Sequence, residues 1–258
     1  MEREPITRKI GLARALSKLG YCSRSQAAGL IRAGRVQLNG AVRRDPETSV
    51  RLGHDRILVD GDAVGAEKKI YLMMNKPRGV VTTASDEKGR ETVYSVLGNA
   101  AGAMPWVAPV GRLDKASEGL LLLTNDSEWG ARVTAPEGHL EKTYHVQIGK
   151  VVNAEFTQVL LTGVTSEDGD FLRARQARVL RAGEKNCWLE IVLDEGKNRQ
   201  IRRMLDALGV EVLRLMRVAI GPLPLGKLAK GTYRLLTPEE KLAVDRAVGK
   251  PSTTKDAK

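Results

Sequence analysis

The chain has 258 residues, a formal net charge of +11, and 42% hydrophobic but only 4% aromatic side chains, which fits one full-sized globular core plus a small additional domain. No apolar run approaches the roughly 20 residues that span a bilayer, and the polar start MEREPITRKIG lacks the apolar segment of a signal peptide, so the protein is read as cytoplasmic, without membrane attachment. The positive charge calls for a polyanion, nucleic acid ahead of anionic lipid, held mainly through its phosphates because aromatics are scarce.

From Pro5 to Arg44 there is no acidic residue, against nine cations: Arg8, Lys9, Arg14, Lys18, Arg24, Arg32, Arg35, Arg43 and Arg44. Within this stretch GLARALSKLG spaces Leu12, Leu16 and Leu19 as one helical face and ends at Gly20, a helix stop. SRSQAAGLIRAGRV opens with Ser23 and Gln26 three residues apart, the reciprocal cap of a helix start. It then sets Ala27, Leu30 and Ile31 on one face and closes at Gly34. Asn39-Gly40 between two short β-prone runs signals a hairpin, and Asp60-Gly61 in RILVDGDAV signals a second. Two arginine-bearing helices followed by a small hairpin sheet resemble the S4 RNA-binding domain. The resemblance places that domain at residues 8–64, with Arg14, Lys18, Arg24, Arg32 and Arg35 as RNA-binding candidates. A merely solvated basic surface is the competing reading.

Small and charged residues in VGAEKK mark a linker at 65–69. Beyond it, IYLMMNKPRGVVTT opens an apolar strand that breaks at Asn75-Lys76-Pro77. TYHVQIG, FLRARQARVL, NCWLEIVL and EVLRLMRVAI each read as a strand, whereas NAEFTQVLLTG and RQIRRMLDALG read as helices. Many strands with few helices predict an α+β domain over residues 70–245, a largely antiparallel mixed sheet with flanking helices. Residues 246–258 are expected to form a disordered basic tail. Cys22 and Cys187 lack a partner motif and are read as small core residues. With His54, His139 and His145 also unspaced for ligation, no metal site is expected.

In GRLDKASEGLLLLTND, residues 111–126, Asp114 stands between Arg112 and Lys115, just ahead of the apolar run Leu120 to Leu123. Gly111 and Gly119 bracket it, so a loop anchored on a buried strand is expected. A carboxylate there can bind a metal, act as acid or base, or attack an electrophile. The flanking cations oppose a divalent ion and suit an ionised nucleophile better than a base of raised pKa. An ion pair on a surface turn is the competing reading. In DEGKNRQIRRMLDALG, residues Ile201, Met204, Leu205 and Leu208 make an apolar helical face, and Arg199, Arg202 and Asp206 lie on another, with Arg203 close by. Gly196 and Asn198 make a tight entry to that helix, whose basic N-terminus suits phosphate or a buried carboxylate.

GRLDKASEGLLLLTND, EKTYHVQI, DEGKNRQIRRM and RLMRVAIGPLPLGKLAKGTYRLLTPEE together resemble the bacterial ribosomal pseudouridine synthases of the RsuA/RluB/RluE/RluF type, over roughly residues 8–245 and in that family's order. The resemblance implies isomerisation of a uridine in ribosomal RNA. It implies Asp114 as the catalytic aspartate, Tyr144 as the residue that stacks on the target uracil, and Arg202 as the cation paired with Asp114. Arg112 would hold the nucleotide's backbone, and Lys142, Asn198 and Arg199 are further substrate-binding candidates. Uracil must leave the ribose, turn, and rejoin through a ring carbon. The carboxylate can attack the sugar, attack the base, or abstract a sugar proton, and the sequence leaves all three open. An isomerisation needs no cofactor.

Two positions depart from the family pattern. Ser127 follows TND where glycine is common, and Glu137 follows Pro136 where an arginine is usual, which bears on RNA target preference. The phrase NKPRGVVTTASDEKGRETV looks more like the large-subunit members, so 23S rRNA, free or in a pre-ribosomal particle, is favoured over 16S rRNA as partner of a monomeric enzyme. The alternative is a non-catalytic RNA-binding ribosome assembly factor on the same scaffold, which the intact Asp114, Tyr144 and Arg202 oppose. A glycosidase or nuclease would need a second carboxylate, for which Glu118, Glu141 and Glu195 qualify by position alone.

Overall fold

The computed structural model describes residues 9–84, 86, 88–98 and 104–249. Arg8 and residues 250–258 of the expected tail lie outside them. The chain divides into two compact units. The first gathers residues up to Tyr71 together with segments 98–108 and 123–127, and the second holds the rest.

The first unit is built from short local signals. Strand β1 (Ile10–Gly11) leads into α1 (Leu12–Lys18), and α2 (Arg24–Arg32) follows. The Ser23 hydroxyl accepts from the Gln26 N–H at 3.2 Å while the Gln26 side chain accepts from the Ser23 N–H at 3.0 Å, which satisfies two of the helix's orphan donors. Strands β2 (Val36–Leu38) and β3 (Ala41–Arg43) turn at Asn39-Gly40, both with positive φ, as a two-residue hairpin requires. After β4 (Ser49–Val50), β5 (Ile57–Val59) and β6 (Asp62–Ala63) repeat this turn at Asp60-Gly61. The sheet order is β3-β2-β5-β6, with β1 paired to β4 apart from it. Leu12, Leu16, Ala27, Ile31, Val36 and Val59 close one core between helices and sheet.

The second unit holds most of a nine-stranded sheet. Its strands are β7 (Tyr71–Lys76), β8 (Ala108–Val110), β9 (Glu118–Thr124), β10 (Lys142–Ile148), β13 (Gln176–Ala182), β14 (Cys187–Leu193), β15 (Val212–Ile220), β16 (Leu223–Pro224) and β17 (Tyr233–Leu235). A separate short hairpin pairs β11 (Val164–Thr165) with β12 (Phe171–Leu172). The order is β13-β14-β10-β15-β9-β7-β17, with β8 on β9 and β16 on β15. The pairings along β13-β14-β10-β15 are antiparallel and β15 meets β9 in parallel, so the sheet is mixed and largely antiparallel. The helices are α3 (Val93–Leu97), α4 (Ser127–Thr134), α5 (Ala154–Thr162), α6 (Gln200–Asp206) and α7 (Pro238–Val248). Alternate residues of β10 and β14, such as Val146, Ile148, Leu189 and Ile191, pack with Leu160 of α5 and with Ile201, Met204 and Leu205 of α6. Every residue of β9 is buried, which is why it reads as an unbroken apolar run. Its Gly119 has φ +103, and a Cβ there would lie 2.3 Å from the Arg217 carbonyl oxygen, so only glycine lets β9 and β15 approach.

Two expectations are corrected. FLRARQARVL is not one strand: between β12 and β13 the Ala174 N–H turns away to the Leu160 carbonyl of α5 at 2.8 Å. Residues 246–248 belong to α7, which runs to Val248, rather than to a tail. Cys22 and Cys187 are buried, as read. Among the described residues no helix is long and apolar enough to cross a membrane.

Candidate active site

Asp114 lies in the loop between β8 and β9, and the surrounding chain holds that loop by its backbone. Lys76, at the end of β7, is fully buried, and its ammonium donates to the carbonyls of Ser117 at 2.8 Å, Pro77 at 3.0 Å and Asp114 at 3.2 Å. Burial pushes the Lys76 amine down to about 8, against the opposing pull of Asp114 and Glu118. The Gly79 N–H donates to the Lys115 carbonyl at 2.7 Å, and the Thr82 hydroxyl donates to the Leu113 carbonyl at 2.8 Å. Arg202 reaches in from α6 to donate to the Ala116 carbonyl at 3.1 Å. Four consecutive carbonyls, Leu113 to Ala116, therefore have donors from other segments, which fixes the direction in which the Asp114 side chain leaves the loop.

That side chain faces a cavity of about 510 Å³. Of the residues expected at the site, Arg112, Asp114, Lys142, Tyr144 and Arg199 line it, whereas Arg202 and Asn198 do not. The ion pair to Asp114 comes from Arg199, with Nη1 3.7 Å from Oδ2. Arg202, expected to make that pair, donates to the Ala116 carbonyl and lies close enough to Asp114 for its charge to be felt. Arg199 is the residue before α6 and takes the left-handed conformation at φ 46, which residues other than glycine adopt uncommonly. Gly196 and Asn198, the residues read as the permissive ones, do not have positive φ. Arg202 is itself pushed down, by burial first and then by the neighbouring Arg199. Burial likewise lowers Lys142, with Arg217 adding to the effect.

Ser117, Gln200 and Arg217 also line the cavity and were not singled out from the sequence. Of the candidate second carboxylates, Glu118 is buried and paired with Arg214 and Lys230 and Glu141 pairs with Arg175 at 2.7 Å, whereas Glu195, 3.6 Å from Lys197, lines the cavity together with Asp194. Among the described residues no group of three or more His, Cys, Asp or Glu could hold a metal ion.

A family model described as RNA pseudouridylate synthase matches residues 70–207, and an S4 domain model matches residues 10–57. The chain belongs to the RNA pseudouridylate synthase family. Among its relatives is an RNA pseudouridine synthase of Aquifex aeolicus, uncharacterised, 37% identical over 93% of this chain and 96% of that protein. Another is the ribosomal large subunit pseudouridine synthase B of Bacillus subtilis, 36% identical over 89% of this chain and 93% of that one. A crystal structure of a pseudouridylate synthase superposes with a TM-score of 0.63 at 29% identity, covering 91% of this chain and 99% of that chain.

In the S4 domain, Arg14, Arg24 and Arg32 of α1 and α2 line one open cleft, with Glu47 as its carboxylate. Arg35 is placed differently, its Nε donating to Asp60 at 2.8 Å in a salt bridge within the hairpin sheet. Lys18 ends α1 and does not line the cleft.

Proposed function

We propose that this synthase converts a specific uridine of ribosomal RNA, 23S ahead of 16S, to pseudouridine, with Asp114 as the catalytic carboxylate. The observation that carries the reading is the placement of Asp114 on a braced loop, paired with Arg199, in a cavity of about 510 Å³ that Tyr144 also lines. The Bacillus subtilis relative named for the large subunit supports 23S rRNA. Residues 8–64 grip structured RNA through Arg14, Arg24 and Arg32, and residues 70–245 carry the chemistry, in a cytoplasmic monomer.

The target base must leave its stack to enter the cavity, at a cost of about a few kcal/mol. Stacking on Tyr144 offsets part of this, since one base–aromatic stack is worth roughly 1–3 kcal/mol. Arg112 and Lys142 then hold the nucleotide while Asp114 acts on the sugar or the base, and the base rejoins the ribose through a ring carbon. The reaction neither oxidises nor transfers a group away, so the side chains described suffice for it.

The test is a map of pseudouridine in 23S and 16S rRNA from cells with and without the gene. One site should be lost on deletion and restored by the wild-type protein but not by Asp114→Asn, which should bind the RNA nearly as well. An Asp114→Asn protein whose binding falls in step with its activity would sink the catalytic assignment. A complete map in the deletion strain would favour an assembly factor on this scaffold.

A further inference from the structure

Arg217 sits in β15 directly opposite Tyr144 of β10 and is 6% exposed. Its Nε donates to the Leu120 carbonyl of β9 at 2.7 Å, which sets the plane of the guanidinium. The Nη2 of the same group is buried and has no hydrogen-bond partner, although Arg217 lines the cavity that holds Asp114 and Tyr144. A buried cationic N–H without an acceptor is a costly arrangement to keep for stability alone. The Ser117 hydroxyl repeats it: it is buried, unpartnered and on the same cavity wall. Lys142, two residues from Tyr144 on the same face of β10, adds a third donor to that wall.

The two cations on that wall, Arg217 and Lys142, suit a ligand edged with acceptors, and the Ser117 hydroxyl can donate as well as accept. Uracil carries carbonyl oxygens on both sides of its N3, whereas cytosine has an amino group, itself a donor, in place of one of them. The geometry points to Arg217 as the residue that reads the base: with uracil stacked on Tyr144, the edge of the Arg217 guanidinium that lines the cavity donates to a uracil carbonyl oxygen. This inference rests on the function proposed above. Uracil's two carbonyls also bear on the turn that the base must make. A half-turn about the N3–C6 axis exchanges them, so the same donor finds an acceptor before and after. Cytosine in that place would set amine against guanidinium once in the cycle, which makes Arg217 a determinant of uridine choice.

The experiment uses synthetic RNA fragments carrying the mapped target as uridine, 2-thiouridine or 4-thiouridine, sulfur being the weaker acceptor. Single-turnover rates are read by nucleoside chromatography for the wild-type protein, Arg217→Ala and Arg217→Lys. The wild type should turn over at least one thio-substituted RNA roughly tenfold more slowly than the uridine RNA, the scale of one charge-assisted hydrogen bond. In Arg217→Ala that ratio should shrink to within about twofold, whatever the variant's overall rate. A ratio unchanged in Arg217→Ala would overturn the inference, because the penalty would then be steric. Loss of the Leu120 contact can prevent folding, so the wild-type ratios also stand as a test by themselves, and equal rates on all three RNAs overturn the assignment. A wild-type protein that leaves the uridine RNA unmodified would instead overturn the proposed function, and the role of Arg217 with it.

Discussion

Lys76 and Arg199 hold the Asp114 loop at opposite physical extremes, one buried and charged with difficulty, the other half-exposed and backbone-strained. The Lys76 amine, lowered to about 8, loses its proton well below the ordinary lysine value. Between about 8 and 10.5 the unfolded chain then binds more protons than the folded one, so the fold gains stability with rising pH across that window. Activity should move the other way, because a neutral amine has one donor fewer for the three carbonyls it holds. Single-turnover rate against pH should bend down above about 8, and Lys76→Arg, which stays charged, should remove the bend. A flat profile to pH 10 would show that the ammonium is not needed. At Arg199, glycine would relieve a left-handed backbone that costs about 1–3 kcal/mol and would also delete the pair to Asp114. Arg199→Gly should therefore melt no lower than the wild type while losing at least tenfold in kcat/KM. A melting temperature several degrees lower would mean that the side chain, not the backbone, governs stability here.

Among the elements, legibility followed the distance over which each is decided. The Ser23–Gln26 cap and the Asn39-Gly40 hairpin were readable because every atom they need lies within a few residues. The apolar run of β9 was readable for the opposite reason, since a strand buried on both faces has nothing polar to interrupt it. The break between β12 and β13 was not, because Ala174 gives its N–H to a helix residue that no local pattern can name. The ion pair of Arg199 with Asp114 was hidden for a similar reason. Spacing showed that both face away from the apolar side of α6, but which one meets Asp114 depends on a left-handed residue where arginine is unexpected. Arg217 was hidden within a quoted motif, and its signal was its place opposite Tyr144, which becomes visible only once the β10–β15 register is known. The β9–β15 contact also gives a stability test. Gly119→Ala would put a methyl group against the Arg217 carbonyl oxygen at a backbone angle that alanine avoids. It should cost about 3 kcal/mol or more, read as a fall in urea midpoint. A loss below about 1 kcal/mol would show that the two strands can separate without penalty.

For the whole molecule, charge and the chain's path matter more than any single contact. The S4 cleft brings Arg14, Arg24 and Arg32 together, so replacing Arg14 and Arg24 with alanine should lower the slope of log affinity against log salt by roughly 1–2, the release from two phosphates. Arg35→Ala is the internal control. Its guanidinium is committed to Asp60, and the slope should stay near that of the wild type. If the Arg35 change flattens the slope as much as the double change, the RNA path runs along the hairpin sheet instead of the cleft.

The first unit draws on three separate stretches of chain, residues up to Tyr71 and segments 98–108 and 123–127. Asn125 shows what the last of these supplies: its side chain accepts from the Ile70 N–H at 2.8 Å and donates to the Lys68 carbonyl at 2.9 Å. The apparent linker VGAEKK is thus finished by residues encoded more than fifty codons later. Exchange of the N-terminal module between genes at that point would carry away the helices and hairpins and leave part of their mortar behind. Descent of the two units as one inseparable cassette is the expected consequence.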